Sequence, residues 1–204
     1  MVGIIDYGLG NLRSVAGAVE KVGYSQIISD KISDLSKASN LILPGVGAFE
    51  DGIVNLMKRN LIENLTDLVI NKNVPILGIC LGAQLMAKDS YEFGYNKGLG
   101  WIDASVIKIE TNNECYKVPH VGWNDLFKVK ESPLFNGIPH TALFYYVHSF
   151  HIKFNDDNCV IGECEYGNKF TAAFQKNNIY GTQFHPEKSQ FYGLTLLKNF
   201  LDNA

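Results

Sequence analysis

The chain has 204 residues, 46% of them hydrophobic, enough for one domain with a substantial core and a small added lobe. A formal net charge of -3 and a pI near 5.9 leave no basic footprint for nucleic acid. The longest apolar runs are strand-length, too short for a bilayer, and "MVGIIDYG" has neither a basic n-region nor a cleavage site. The expectation is a cytoplasmic protein that meets no membrane.

In chain order, "VGIIDYG" reads as a strand, followed by a helix with Leu12, Val15, Ala16, Val19 and Val22 on one face. "SQIISD" and "NLILPG" are further short apolar runs. A long helical pattern then covers about Glu50 to Ile70, before the continuous run "VPILGIC". Continuous runs separated by amphipathic helices indicate a parallel sheet covered on both faces. The remainder is strand-rich: "ASVIKIE", "DLFKV", "ALFYYVHSFHIKF", "CVIGECE", "FTAAFQ" and "IYGTQFH", closed by the helix "YGLTLLKNFLDN". The expected fold is α/β, a mostly parallel central sheet flanked by helices with a smaller antiparallel annex. With no repeat, low-complexity tract or linker, residues 1–204 form a single domain in this reading. Open parallel sheets place their sites at the carboxyl ends of the strands, where "ILPGVG" and "ILGICLG" both end.

Cys80 sits at that edge. "G-I-C-L-G" resembles the nucleophile elbow G-x-S-x-G with sulfur in place of oxygen. Gly78 and Gly82 flank a tight strand-to-helix turn where a side chain would collide with a neighbouring element. The turn sets the thiol at a helix N-terminus, which favours thiolate, and points the Leu81 amide to where an oxyanion would form. The bland alternative is a buried thiol in a glycine-rich turn. A nucleophilic thiolate also needs a base and a group to orient it. "F-H-P-E-K-S" supplies His185 and Glu187. In an extended segment, held by the fixed φ of Pro186, positions i and i+2 share a face. Nδ1 would then meet the carboxylate and leave Nε2 for sulfur.

The other candidates read as structural. Among the four cysteines, Cys115, Cys159 and Cys164 are expected to be inert free thiols, and no metal site is expected. His148 and His151 lie three apart on opposite faces of a strand-like run, His140 is in a turn, and His120 in "VPHVGWN" has no acid at a triad-like spacing. The G-x-G of "DYGLGN" lacks its third glycine, so no nucleotide cofactor is expected; the cofactor expectation is none.

The motifs together resemble the class I, triad-type glutamine amidotransferases. Within them they resemble the family of glutaminase subunits of imidazole glycerol phosphate synthase. The resemblance runs the whole length: "IIDYGLGNLRSV", "LPGVGAF", "GICLGAQLM", "VPHVGWN", "YYVHSF" and "FHPEKS". It implies that Cys80 attacks the side-chain amide of glutamine, forms a γ-glutamyl thioester and releases ammonia with a proton from His185, which Glu187 orients. It implies an oxyanion hole from the Val46 and Leu81 backbone amides, and glutamine contacts at Gly47, Gln84 and Glu92. Asn11, Trp123 and Lys188 match positions facing a (β/α)₈-barrel synthase. That partner would use the ammonia to make imidazole glycerol phosphate and AICAR in histidine biosynthesis. One departure is Ala83, where the family usually carries a larger residue, often methionine. It could mark a paralogue serving another synthase, in surface-sugar amidation; a synthase of vitamin B6 is a further alternative. A stand-alone γ-glutamyl cysteine hydrolase and a silent binding module are weaker competitors.

Overall fold

The computed structural model describes residues 1–111 and 116–203. Cys115 lies outside the described residues. β1 (Val2–Ile5) is buried at every position, and α1 (Leu12–Lys21) follows with Val15, Ala16, Ala18 and Val19 buried. The Asn11 side chain caps α1 by accepting from Ser14 N at 3.3 Å. β2 (Gln26–Ser29), the single turn α2 (Ile32–Leu35) and β3 (Asn40–Leu43) complete the first unit.

The helical pattern expected over 50–70 is not one helix. It forms α3 (Phe49–Lys58) and α4 (Leu61–Thr66), with a wider π-type turn over Asp67–Asn71. The joint is Asn60 at φ 54, a left-handed conformation that asparagine tolerates better than most residues. β4 (Ile76–Ile79) and α5 (Leu81–Leu85) then flank Cys80.

Next come β5 (Asp89–Ser90), β6 (Asn96–Lys97), β7 (Ala104–Lys108), β8 (His120–Lys128), β9 (Thr141–His148) and β10 (Phe150–Phe154). β11 (Val160–Tyr166), β12 (Asn168–Lys176), β13 (Ile179–Thr182) and α6 (Gln190–Asn203) close the chain. "ALFYYVHSFHIKF" is therefore two strands, broken at Ser149, and they belong to different sheets.

The large sheet has nine strands in the order β2-β1-β3-β4-β13-β12-β11-β8-β9. From β2 to β13 every pairing is parallel; from β13 to β9 every pairing is antiparallel. The second sheet has four strands, β10-β7-β5-β6. The expected annex is thus shared between an extension of the main sheet and this small one.

Alternation along the buried strands separates two apolar layers. Val2, Ile4, Ile42, Leu77 and Ile79 face α1 and α6, whereas Ile5, Leu41, Leu43 and Ile76 face α3, α4 and α5. Trp101 belongs to the second layer, buried, with its indole N–H donating to Thr66 Oγ1 at 3.1 Å. Among the described residues no helix is long and apolar enough to cross a membrane.

Candidate active site

Three neighbouring strands, β3, β4 and β13, run parallel and end at one edge. β3 delivers Pro44 to Gly47, β4 delivers Cys80, and β13 leads through Thr182 to His185. The Cys80 N–H donates to Thr182 O at 2.7 Å, so the elbow is pinned to the strand that brings the histidine.

Cys80 adopts φ 52 and ψ -111, a region close to the first corner of a type II′ turn that normally calls for glycine. Its neighbours make room. A Cβ on Gly78 would stand 2.6 Å from Ala83 Cα, and one on Gly82 would stand 1.8 Å from Leu43 O. One on Gly45 would meet the Tyr7 hydroxyl at 2.3 Å and Gly82 N at 2.7 Å. The sequence expectation for Gly78 and Gly82 holds, and Gly45 shares their role. Tyr7 carries a fully buried hydroxyl with no protein partner; burial first, and then charge at Cys80, hold its phenol far above the usual range.

His185 and Glu187 do pair, Nδ1 to Oε1 at 2.8 Å, with each side chain 2% exposed. The backbone that achieves this is not the extended segment expected. Pro186–Lys188 is one turn of 3₁₀ helix, because a proline that opens a helical turn has the right φ already set. The turn is clamped on several sides. His185 N–H donates to Tyr145 O at 2.9 Å, and Ser189 Oγ donates to His185 O at 2.6 Å while accepting from Tyr145 N at 3.0 Å. Nε2 of His185 is buried with no hydrogen-bond partner, while the Cys80 thiol meets Val147 O at 3.8 Å and Gln183 Nε2 at 3.6 Å. Burial alone would push this imidazole down. The nearby Cys80, followed by Glu187, more than offsets it and raises His185 to about 9. Near neutral pH the histidine therefore holds its proton beside the sulfur.

A cleft of about 420 Å³ opens over the thiol. Val46, Gly47, Leu81, Gln84, Glu92 and Lys188 all line it, together with Cys80 and residues 147–150. Gln84 is buried and donates one amide hydrogen to Phe150 O at 2.8 Å and the other to Gln183 Oε1 at 3.0 Å. Phe150 O can only accept, which forces this orientation and leaves only the Gln84 carbonyl oxygen for a ligand. Gln183 Nε2 in turn points at Cys80 Sγ, 3.6 Å away. Gln183 was not singled out from the sequence, although it stands only two residues before His185.

Glu92 lies in the turn between β5 and β6. Its Oε2 accepts from Phe49 N at 2.7 Å and caps α3, whose own N-cap, Ala48, offers no side-chain oxygen. Burial raises the Glu92 carboxyl above its ordinary value, more than the Phe49 N–H lowers it.

Trp123 is 45% exposed and packs edge-on against Tyr145 at 6.1 Å between centroids; Lys188 Nζ lies 5.6 Å over the same ring. Trp123 and Lys188 thus share one face through Tyr145, while Asn11 caps α1. Of the cysteines set aside from the sequence, Cys164 is buried and its thiol is pushed up to about 12 by burial, and Cys159 is free. Among the described residues no group of three or more His, Cys, Asp or Glu could hold a metal ion.

Residues 3–204 match the family model described as glutamine amidotransferase class-I. The chain belongs to the class-I glutamine amidotransferases. It is 48% identical to imidazole glycerol phosphate synthase subunit HisH 1 of Campylobacter jejuni (strain RM1221), over 98% of this chain and 99% of that protein. It is 43% identical to subunit HisH 2 of Pseudomonas aeruginosa, over 99% of each, and 38% identical to subunit HisH of Leptospira interrogans, over 98% of each. In fold it matches the structure of PurLQS from Thermotoga maritima, with TM-score 0.74 and 20% identity over 98% of this chain and 97% of that one. The glutaminase domain of Trypanosoma brucei CTPS, with acivicin bound, gives TM-score 0.69 and 15% identity over 100% and 94%.

Proposed function

We propose that the chain hydrolyses glutamine in the cytoplasm and passes the ammonia to a (β/α)₈-barrel synthase that makes imidazole glycerol phosphate and AICAR in histidine biosynthesis. The observation that carries this reading is the buried His185–Glu187 pair beside Cys80, whose side chain lines a cleft of about 420 Å³. The full-length likeness to subunits of imidazole glycerol phosphate synthase supports the choice of partner.

Each step uses a group already described. The Cys80 sulfur, paired with protonated His185, attacks the side-chain carbonyl carbon of glutamine. The electron pair moves onto oxygen, which the Leu81 and Val46 amides would hold. Collapse breaks the C–N bond, and the nitrogen leaves as ammonia with the proton from His185 Nε2. The neutral imidazole then takes a proton from water as it attacks the thioester. Glutamate departs and the pair is restored. Glu187 keeps the ring in one orientation throughout. At the other end of the substrate, the Gln84 carbonyl and the Glu92 carboxylate offer acceptors to an α-ammonium, and Gly47 lets the backbone approach. Asn11, Trp123 and Lys188 would meet the synthase.

A second reading keeps the chemistry and changes the partner to one that amidates a surface sugar. The departure at Ala83, a residue fully buried beneath the elbow, is what raises this alternative. Identifying the barrel protein that co-purifies with the chain separates the two.

The test of the division of labour is Cys80→Ala in the complex. Glutamine-dependent synthesis should vanish and synthesis from added ammonia should persist; loss of both would sink the assignment. Glutamate release by the chain alone should be weak and rise about 10²–10³-fold with partner and ligand, the worth of one oxyanion donor brought into place. Full activity from the isolated chain would favour a stand-alone hydrolase.

A further inference from the structure

His120 and His148 face each other across β8 and β9, 28 residues apart in sequence, with His120 Nδ1 3.0 Å from His148 Nε2. Both are buried. Their protons can be placed without ambiguity. His148 Nδ1 lies 2.8 Å from Phe150 O, and a carbonyl only accepts, so Nδ1 carries the hydrogen. In a neutral ring Nε2 is then the acceptor, and His120 Nδ1 must donate to it. His120 Nε2 is left to accept from Asn124 Nδ2 at 3.3 Å. The second amide hydrogen of Asn124 goes to Glu165 O at 3.0 Å. Burial holds both rings neutral, pushing His120 down to about 4 and His148 to about 3.

Phe150 O is a meeting point. From one side it receives His148, and from the other it receives Gln84, which orients Gln183 toward the Cys80 sulfur. His148 ends β9 in the large sheet, and Phe150 begins β10 in the small one. The bond from His148 is therefore a clasp across the joint between two sheets, and that joint, residues 147–150, is one wall of the cleft.

Resting on the glutaminase reading above, we propose that His148, held in one tautomer by His120, is a positioning residue that fixes the cleft wall and the Gln84 amide, and so governs how tightly the site holds glutamine. Its contribution is to binding of the ligand's far end and not to the reactivity of the thiol.

The experiment is labelling of Cys80 in the full chain by 6-diazo-5-oxo-L-norleucine, read as KI and kinact, with iodoacetamide as a small reagent that needs no cleft contacts. His148→Leu removes one of the two donors to Phe150 O and leaves Gln84 as its remaining partner, and the loss of one hydrogen bond from the cleft wall should raise KI about tenfold. Its kinact and its iodoacetamide rate should stay within about twofold. His148→Asn sets an amide N–H where Nδ1 stood and should bring KI back to within about threefold. His120→Phe keeps the aromatic stack but orphans His148 Nε2, and should fall between them. Equal KI for all variants, or equal damage from Leu and Asn, overturns the proposal. So does an iodoacetamide rate that falls in step with the diazoketone, since that marks a packed pair whose loss disorders the whole site. If the unaltered chain labels without saturation, the glutaminase reading falls and takes this inference with it.

Discussion

Cys80 and His185 reach the same edge of the sheet on backbones of opposite character. The elbow holds its thiol at φ 52 by steric exclusion: Leu43 O, Ala83 Cα and Tyr7 crowd Gly82, Gly78 and Gly45 so closely that no side chain fits. The histidine turn is relaxed, opened by a proline, and it is held by hydrogen bonds from Tyr145 and Ser189. One half of the site is positioned by shape and strain, the other by satisfied polar groups. Close packing fails all at once when a methyl is added, whereas a clamp of hydrogen bonds weakens by degrees.

The sharpest way to break this contrast is Cys80→Gly. Activity should disappear, while stability should rise by about 1–2 kcal/mol as the strain is relieved. A denaturation midpoint that falls would mean that the elbow is not strained. On the histidine side, His185→Ala should lose nearly as much activity as removal of the thiol. Glu187→Gln should lose roughly ten- to a hundredfold less, because the base remains and only its orientation and charge support go. Equal kcat for the two variants would give the carboxylate more than an orienting role.

Ser189→Ala removes two hydrogen bonds of the clamp and should cost about 1–3 kcal/mol, with a drop in kcat of about tenfold as His185 loosens. An unchanged kcat would show that proline and Glu187 suffice. The smallest effect is on pH. The folded-state pKa of His185, about 9, lies above its ordinary 6.5. Its proton therefore stabilises the fold fully below about 6.5, and the contribution is lost as pH rises through about 9. Cys80→Ala removes the main partner of that proton, so its urea midpoint should fall less between about pH 6 and about pH 10 than that of the unaltered chain.

What was legible in the sequence follows the same division. Glycine spacing is a local signal, and Gly78, Gly82 and the alternating strands around them needed only a reading of period and turn chemistry. The His-x-Glu pair was legible too, but its geometry was misjudged, because proline suits both an extended segment and the first residue of a helical turn. Asn60 ended a helix without glycine or proline, and Ser149 parted two strands with no punctuation at all. Contacts that depend on register between distant strands left no mark: His120 on His148, and Glu92 on Phe49 N. His148 and His120 looked structural singly, and only their pairing joins them to the cleft.

The chain contains two tryptophans, and they sit in opposite circumstances. Trp101 is sealed in the core with its indole N–H satisfied, while Trp123 stands on the face it shares with Tyr145 and Lys188. The protein thus carries a reference fluorophore and a sensing one. A water-borne quencher reaches only the second, and its shielding on addition of a synthase would report, without any label, that docking covers this face.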